Sequence, residues 1–433
     1  MGHYVAHPLE WQEPLGFCHS RILPDKSCVL LYSGLRTSYS GRYSFFATDE
    51  LAHVAGSDFS SVSNAISDSA STFDNAWFGY ISYEMAHALE RVSRSKPTMI
   101  AVAPIWFAQF GRIYCFDHES KTLTEYRHPS LPDENIAHEL TTNDNILFTV
   151  SKISSNMTKS EYLDHVATIK RAILAGDCYQ ANLTRKFFGK FDKSLDTFDL
   201  FIRLCGISPA PYSAYIQTPE CTILSSSPEK FLTITADGRI VTRPIKGTAR
   251  RFSDAQQDMD SRLRLETSEK DKSENLMIVD LMRNDLSRCS EPGSVTVSNL
   301  FQVESFATVH HMDSTITSRK RKNLSALDVV KSCFPPGSMT GAPKIKAMEW
   351  CSRLEEMQRG IYSGAIGWFG GDGSCDLSVV IRTLIIKGKQ FEFQVGGGIV
   401  ADSAPESEWE ETITKARGML HALGVDESAL REI

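Results

Sequence analysis

FEFQVGGGIVADSAPESEWEETITK, residues 391–415, carries the pattern that decides the fold. Phe391 to Val395 reads as a strand and runs into Gly396-Gly397-Gly398. Three consecutive glycines let backbone N–H groups approach an anion closely, or they make a tight turn between strands. Ser403 and Glu406 then cap a helix that runs to about Leu423. Glu408, Glu411 and Lys415 fall at i, i+3 and i+7 of that helix and share one face. Spacing alone leaves two readings. One is a solvated stripe with a Glu411–Lys415 pair worth about 0.3–0.5 kcal/mol. The other is two carboxylates for a hard cation, with a lysine for an anionic group.

Working outward, strands and helices mix without strict alternation. Thr158 and Glu161 make a capping box, and Tyr162, Val166, Ile169 and Ile173 recur at helical spacing before Gly176. Tyr179, Ala181 and Leu183 alternate with Gln180, Asn182 and Thr184, the pattern of a half-buried strand with a neutral polar second face. Strands are expected at 28–32, 42–47, 105–116, 222–226, 231–235, 240–243, 362–369 and 377–386, with a hairpin turn at Asp237-Gly238. Helices are expected near 83–92, from a cap at Ser253 and Gln256, over 273–286, and from Pro343 to about Glu356. This is an α+β (mixed α/β) pattern. The polar, proline-bearing stretch at 127–150 reads as a connection between an N-terminal region, 1–126, and a larger region, 151–433.

Composition narrows the function. Of 433 residues, 42% are hydrophobic and 23% charged, as in ordinary globular proteins. No run approaches the ~18 apolar residues of a membrane span. Met1–Pro14 is polar, is broken by Pro8 and Pro14, and does not read as a leader. Ten cysteines without a C-x-x-C pair suit a reducing cytoplasm rather than a zinc site or disulfide scaffold. A net charge of −7 disfavours nucleic acid and sets a condition on any anionic ligand, which must meet local positive charge.

The remaining features are ambiguous one by one. Glu274 lies near the apolar face of its helix and is either a helix-start carboxylate or a second helix's contribution to a metal site. The turn Gly337–Lys344 lacks the glycine spacing of a phosphate-binding loop. Lys246, in Arg243-Pro-Ile-Lys-Gly-Thr248, has nothing in its spacing to mark it as reactive. No G-x-C-x-G or G-x-S-x-G nucleophile segment occurs, so no glutaminase or serine-hydrolase machinery is visible.

Taken together, ten segments in fixed order resemble one family: 176–183, 227–231, 243–248, 274–285, 309–311, 334–344, 363–367, 381–383, 396–403 and 408–415. They resemble the chorismate-utilising enzymes, in the group of anthranilate synthase and aminodeoxychorismate synthase component I. The likeness covers about residues 155–425. Ser363 and Trp368 depart from it mildly, standing where the family often has Cys and Tyr.

The resemblance implies a chorismate-binding-enzyme fold, two mixed or antiparallel sheets packed as a sandwich with helices outside. It implies Mg²⁺ held by Glu274 and Glu411 with Glu408 close by, and substrate carboxylates met by Gly397, Gly398, Arg382 and Lys415, with Thr340 also at the substrate. Gln180 stands where the water-adding members have a lysine base. Glutamine cannot deprotonate water, so the resemblance points to an amine-adding enzyme. Lys246 stands where anthranilate synthases have alanine and, by similarity to aminodeoxychorismate synthases, is the nucleophile, with Glu229 as acid and His311 beside the ring. A lysine nucleophile must be neutral, so Lys246 is expected to titrate well below the usual value of about 10.4. Ammonia would come from a separate glutamine amidotransferase. Leu30–Gly34 and Gly41–Phe45 resemble segments of the family's tryptophan pocket, which puts Ser33, Arg42, Tyr43 and Ser44 in a candidate tryptophan site. The alternatives are an anthranilate synthase component I and a non-catalytic, aromatic-amino-acid-binding partner of an amidotransferase.

Overall fold

The computed structural model describes residues 3–37, 39–66, 71–133, 148–306 and 309–430. Every strand pairing among them is antiparallel, and the pairings form one long ladder. From Gln180–Lys190 it runs through Gln390–Ile399, Thr383–Lys387, Thr222–Ser227, Tyr212–Gln217, Cys28–Tyr32 and Tyr43–Gly56 to Ile105–Asp117. Beyond that strand it continues through Trp77–Ile81, Ala365–Phe369, Cys375–Val379, Lys230–Ile234, Arg239–Arg243 and Val309–Arg319.

The ladder folds over at Ile105–Asp117, and its two halves pack face to face. Val29, Phe78, Trp106, Phe110, Ile223 and Ile366, drawn from both halves, form the core between them. The expected sandwich is therefore one continuous sheet doubled on itself. Helices cover both outer faces. Lys159–Leu174, Thr197–Ile207 and Pro405–Ala422 bury Tyr162, Leu200 and Trp409 against one face. Glu269–Ser287 and Ala326–Cys333 bury Ile278 and Val330 against the other. Strands from 1–126 and from 151–433 pair directly, Cys28–Tyr32 with Tyr212–Gln217 and Trp77–Ile81 with Ala365–Phe369. Of the expected connection at 127–150, residues 134–147 lie outside the described residues.

Local expectations hold where local chemistry decides. The Thr158–Glu161 capping box is formed, and the Asp237-Gly238 turn closes its hairpin with Gly238 at φ +84°. Other expectations need correction, and the expected 362–369 strand starts only at Ala365. The 377–386 run is two strands, because the chain turns at 380–382 with Arg382 at φ +51°. Asp254, not Ser253, caps its helix, its carboxylate accepting from the Gln257 amide. Ser403 caps no helix. Its hydroxyl accepts from the Val400 amide at 3.1 Å, and the helix starts at Pro405, whose missing N–H costs nothing in the first turn. The 83–92 stretch is only a 3₁₀ turn, Tyr83–Met85, and one short helical turn, Ala86–Leu89.

A buried ion pair of the larger region anchors the N-terminal region through hydrogen bonds. Lys186 Nζ lies 3.0 Å from Glu392 Oε1, with both side chains almost fully buried. Glu392 also accepts from the Thr98 hydroxyl at 2.8 Å and the Ile100 amide at 3.1 Å. Removing one partner of such a pair leaves an uncompensated charge. Glu392→Ala is expected to destabilise the fold by about 3–5 kcal/mol, read as a lowered denaturant midpoint. Lys186→Met combined with Glu392→Leu should recover at least half of that loss.

Candidate active site

The glycine run does not turn. Gly396, Gly397 and Gly398 continue the Gln390–Ile399 strand, paired with Thr184, Leu183 and Asn182. None of the three has a positive φ, so crowding is what excludes side chains here. A Cβ on Gly397 would stand 3.1 Å from Glu408 Oε2 and 3.4 Å from Glu411 Oε1. On Gly398 it would overlap Gln180 Nε2 and stand 3.4 Å from Lys246 Nζ. Four expected site residues thus crowd one bare strip of backbone.

The C-terminal helix is seated over this strip. Lys415 Nζ donates to the Gly396 carbonyl at 2.8 Å and pairs with Glu411 at 2.6 Å. Underneath, the Arg185 guanidinium stacks on Trp409 at 3.5 Å and its Nε donates to Thr412 Oγ1 at 3.0 Å. Glu408 is buried between, and its Oε2 has no hydrogen-bond partner. Burial and the neighbouring Glu411 push the Glu408 carboxyl up. Burial raises Glu274 too, against the pull of Lys246 and Lys270. Burial also pushes on Glu411, but Lys415 and Lys246 outweigh it and hold that carboxyl below its ordinary value.

A buried carboxylate oxygen without a donor, facing a residue without a side chain, fits a hard divalent cation. Among the described residues, only His19, Asp196 and Asp199 bring three ligand atoms within 4.8 Å of one another, so Glu274, Glu408 and Glu411 stand wider apart than that. Mg²⁺ tolerates such spacing, since it takes one or two carboxylates and keeps several waters.

Lys246 owes its aim to a β-bulge. Ile245 pairs with Asp313 and Thr248 with His311, so Lys246 and Gly247 together oppose one residue. Gly247 has φ +85°, a conformation that favours glycine. Lys246 Nζ donates to the Ser338 carbonyl at 3.4 Å. Burial, aided by Lys415, lowers its pKa, against the pull of Glu274, Glu229 and Glu411. Glu229 is buried, and burial raises its carboxyl despite the Ser338 hydroxyl, Lys246 and the Ile245 amide. Ser338 was not singled out in the sequence. Its signal was its place in the 337–344 turn, which reads as non-catalytic when judged only against phosphate-binding loops.

Gln180 is buried with both amide heteroatoms unpartnered. The strand begins at Gln180 and leaves Tyr179 exposed; Ala181 and Leu183 are buried as the alternation predicts, but the polar face is covered rather than solvated. The Thr340 hydroxyl is already committed to the Gly337 carbonyl at 3.2 Å, and its own carbonyl accepts from the Asn182 amide. His311 and Arg382 line a cleft with Leu35, Pro211, Pro228 and Phe306. Burial, then Arg382 and His310, push His311 down to about 3. Burial also lowers Arg382, against the pull of Glu229.

The N-terminal residues form a separate cluster. The Ser33 amide donates to Ser44 Oγ at 2.9 Å, and Ser44 Oγ lies 2.7 Å from His118 Nε2. The Ser33 hydroxyl donates to the Tyr43 carbonyl at 2.7 Å. Arg42 is half-exposed and held by Asp117 at 2.9 Å.

The sequence pattern described as chorismate binding enzyme matches residues 26–421. Aminodeoxychorismate synthase component 1 of Salmonella typhimurium is 45% identical over 269 residues, which is 62% of this chain and 59% of that protein's length. The protein of the same name from Escherichia coli is 36% identical over 354 residues, 81% of this chain and 77% of its own. The crystal structure of anthranilate synthase component I from Streptococcus pneumoniae superposes with a TM-score of 0.77 at 26% identity, covering 89% of this chain and 93% of that one.

The His311 shift has a consequence for stability. An unfolded histidine titrates near 6.5, whereas folded His311 stays neutral down to about pH 3. Between those values this residue binds more protons in the unfolded chain, so its contribution to stability is full above pH 6.5 and is lost as pH drops towards 3, at about 1.4 kcal/mol per pH unit. His311→Gln should remove that part of the slope, as read from denaturant midpoints from pH 7 to pH 4.

Proposed function

The chain belongs to the chorismate binding enzyme family, and from that premise we propose that it aminates chorismate at ring carbon C4 with ammonia, as component I of an aminodeoxychorismate synthase. The product, 4-amino-4-deoxychorismate, feeds p-aminobenzoate and folate synthesis. The observation that carries this reading is Lys246, a partly buried amine with a lowered pKa, aimed by its bulge at the strip of backbone that also faces Gln180, Glu408 and Glu411.

In this reading the Lys246 lone pair attacks ring C2, the ring double bond shifts, and the C4 hydroxyl leaves. Glu229, whose carboxyl burial pushes up, supplies the proton that makes the leaving group water. Ammonia then attacks C4, the double bond returns, and Lys246 departs as an amine. A neutral His311 lies beside the ring and its hydroxyl. Arg382 and Lys415 take the enolpyruvyl carboxylate, Arg382 in a bidentate grip, with Thr340 also at the substrate. Glu274 and Glu411, with Glu408 beside them, would hold Mg²⁺, which when bound neutralises the ring carboxylate. The Gly397 and Gly398 amides support the same end. Gln180 lacks the basicity to activate water, and ammonia needs no such help.

Ammonia would reach the site from a glutamine amidotransferase partner, which fits the absence of glutaminase segments from the sequence. Tryptophan is the proposed ligand of the Ser33, Arg42, Tyr43 and Ser44 cluster. No helix among the described residues is long and apolar enough to cross a membrane, and ten free cysteines suit a reducing cytoplasm.

The test is product identification. The purified chain is incubated with chorismate, Mg²⁺ and ammonium at alkaline pH and analysed by mass-resolved chromatography. The expected product is 4-amino-4-deoxychorismate, absent with Lys246→Ala and formed about 100- to 10,000-fold more slowly with Glu229→Gln. Anthranilate from the unaltered chain would overturn the reading in favour of anthranilate synthase. No product at any ammonium concentration would favour a regulatory role.

A further inference from the structure

A bulge alone fixes the direction of Lys246 poorly, because register can slip where ladder bonds are missing. A buried charge cluster lies directly beside it. Arg243 ends the strand three residues before Lys246, and its side chain is buried. Its Nε and Nη2 donate to Asp313 Oδ1 at 2.9 and 2.8 Å, and Nη2 also reaches Glu304 Oε1 at 2.9 Å. Asp313 is the residue whose backbone pairs with Ile245, and Glu304 pairs with His311. One guanidinium therefore reaches both the strand that opposes the bulge, Val309–Arg319, and the strand beyond it, Thr296–Ser305.

The next residue extends the grip. The Ser314 amide donates to the Pro244 carbonyl at 3.3 Å, and the Ser314 hydroxyl bonds the Asn275 side chain at 2.6 Å, next to Glu274. Tyr39, from the N-terminal region, closes the remaining side. Its ring lies 3.1 Å from the Arg243 guanidinium carbon, and Thr37 Oγ1 accepts from the Tyr39 and Ser40 amides below it.

Stability does not account for this cluster. Burying one arginine with two carboxylates carries a large desolvation cost, and well-packed apolar residues generally stabilise as well or better. Fixing register is the best-attested use of such groups. We infer that the Arg243–Asp313 pair, roofed by Tyr39, is the positioning site for Lys246. This rests on Lys246 being the nucleophile, and it makes Tyr39 a contribution of the N-terminal region to the chemistry.

The test uses the full chain with Arg243→Lys, which keeps the charge but loses the fork, Tyr39→Leu, which removes the aromatic face, and Tyr39→Phe, which keeps it. Chorismate consumption with Mg²⁺ and ammonium gives kcat and KM, and thermal melting checks the fold. Arg243→Lys and Tyr39→Leu are expected to lower kcat about 10- to 100-fold, the scale of a misplaced reacting group, with KM for chorismate unchanged. Tyr39→Phe should return kcat to the level of the unaltered chain. The inference is overturned if both variants keep kcat, if KM alone rises, or if Tyr39→Phe is as slow as Tyr39→Leu. Should Arg243→Lys fail to fold, the Tyr39 pair decides. Failure of the parent reading is seen separately, in the product of the unaltered chain or in turnover retained by Lys246→Ala.

Discussion

Everything at the site depends on the absence of side chains between Gly396 and Gly398. Two packed layers normally need room for side chains between them. Here the carboxylates of the C-terminal helix and the Lys246 amine both close onto bare backbone, and one Cβ at Gly398 would overlap Gln180. The close approach turns the strip into a wall from which amides and carbonyls are reachable. Lys415 already uses the Gly396 carbonyl. The same approach forces Glu408 under cover, where its orphan oxygen raises the cost of the carboxylate until a cation or donor meets it.

Charge follows from that geometry. Burial pushes Glu229, Glu274 and Glu408 towards neutrality, and it pushes Lys246, His311 and Arg382 the same way. Burial at this site therefore disfavours the charged form of acids and bases alike. That state suits acid–base work, for which a carboxyl must keep its proton and an amine must lose one.

Much of this was legible in the sequence, and the reason differs from residue to residue. Glu408, Glu411 and Lys415 declare a common face through helical period alone, and the Glu411–Lys415 pair forms as spacing predicts. The Thr158–Glu161 box is equally local. The strand through the three glycines was not legible, because only its partner at Ala181–Thr184 shows that it stays extended. The Lys246 bulge was hidden for the same reason, since it exists only relative to Val309–Arg319. Ser403 misled because a serine three residues before a glutamate is a cap only if no nearer amide claims the hydroxyl, and the Val400 amide does.

The doubled ladder explains why such distant segments meet. An antiparallel sheet folded at Ile105–Asp117 places strands from residues 28–32, 180–190 and 390–399 in one half and those from 77–81, 230–243 and 309–319 in the other. The acidic helix belongs to the first half and the Glu274 helix to the second, while Lys246 stands on the last strands of the second. The residues crowded around Gly397 and Gly398 are thus supplied by both halves. Tertiary packing of the halves and assembly of the site are then one event, so the inner core of Val29, Phe78 and Ile223 carries part of the precision that the chemistry needs.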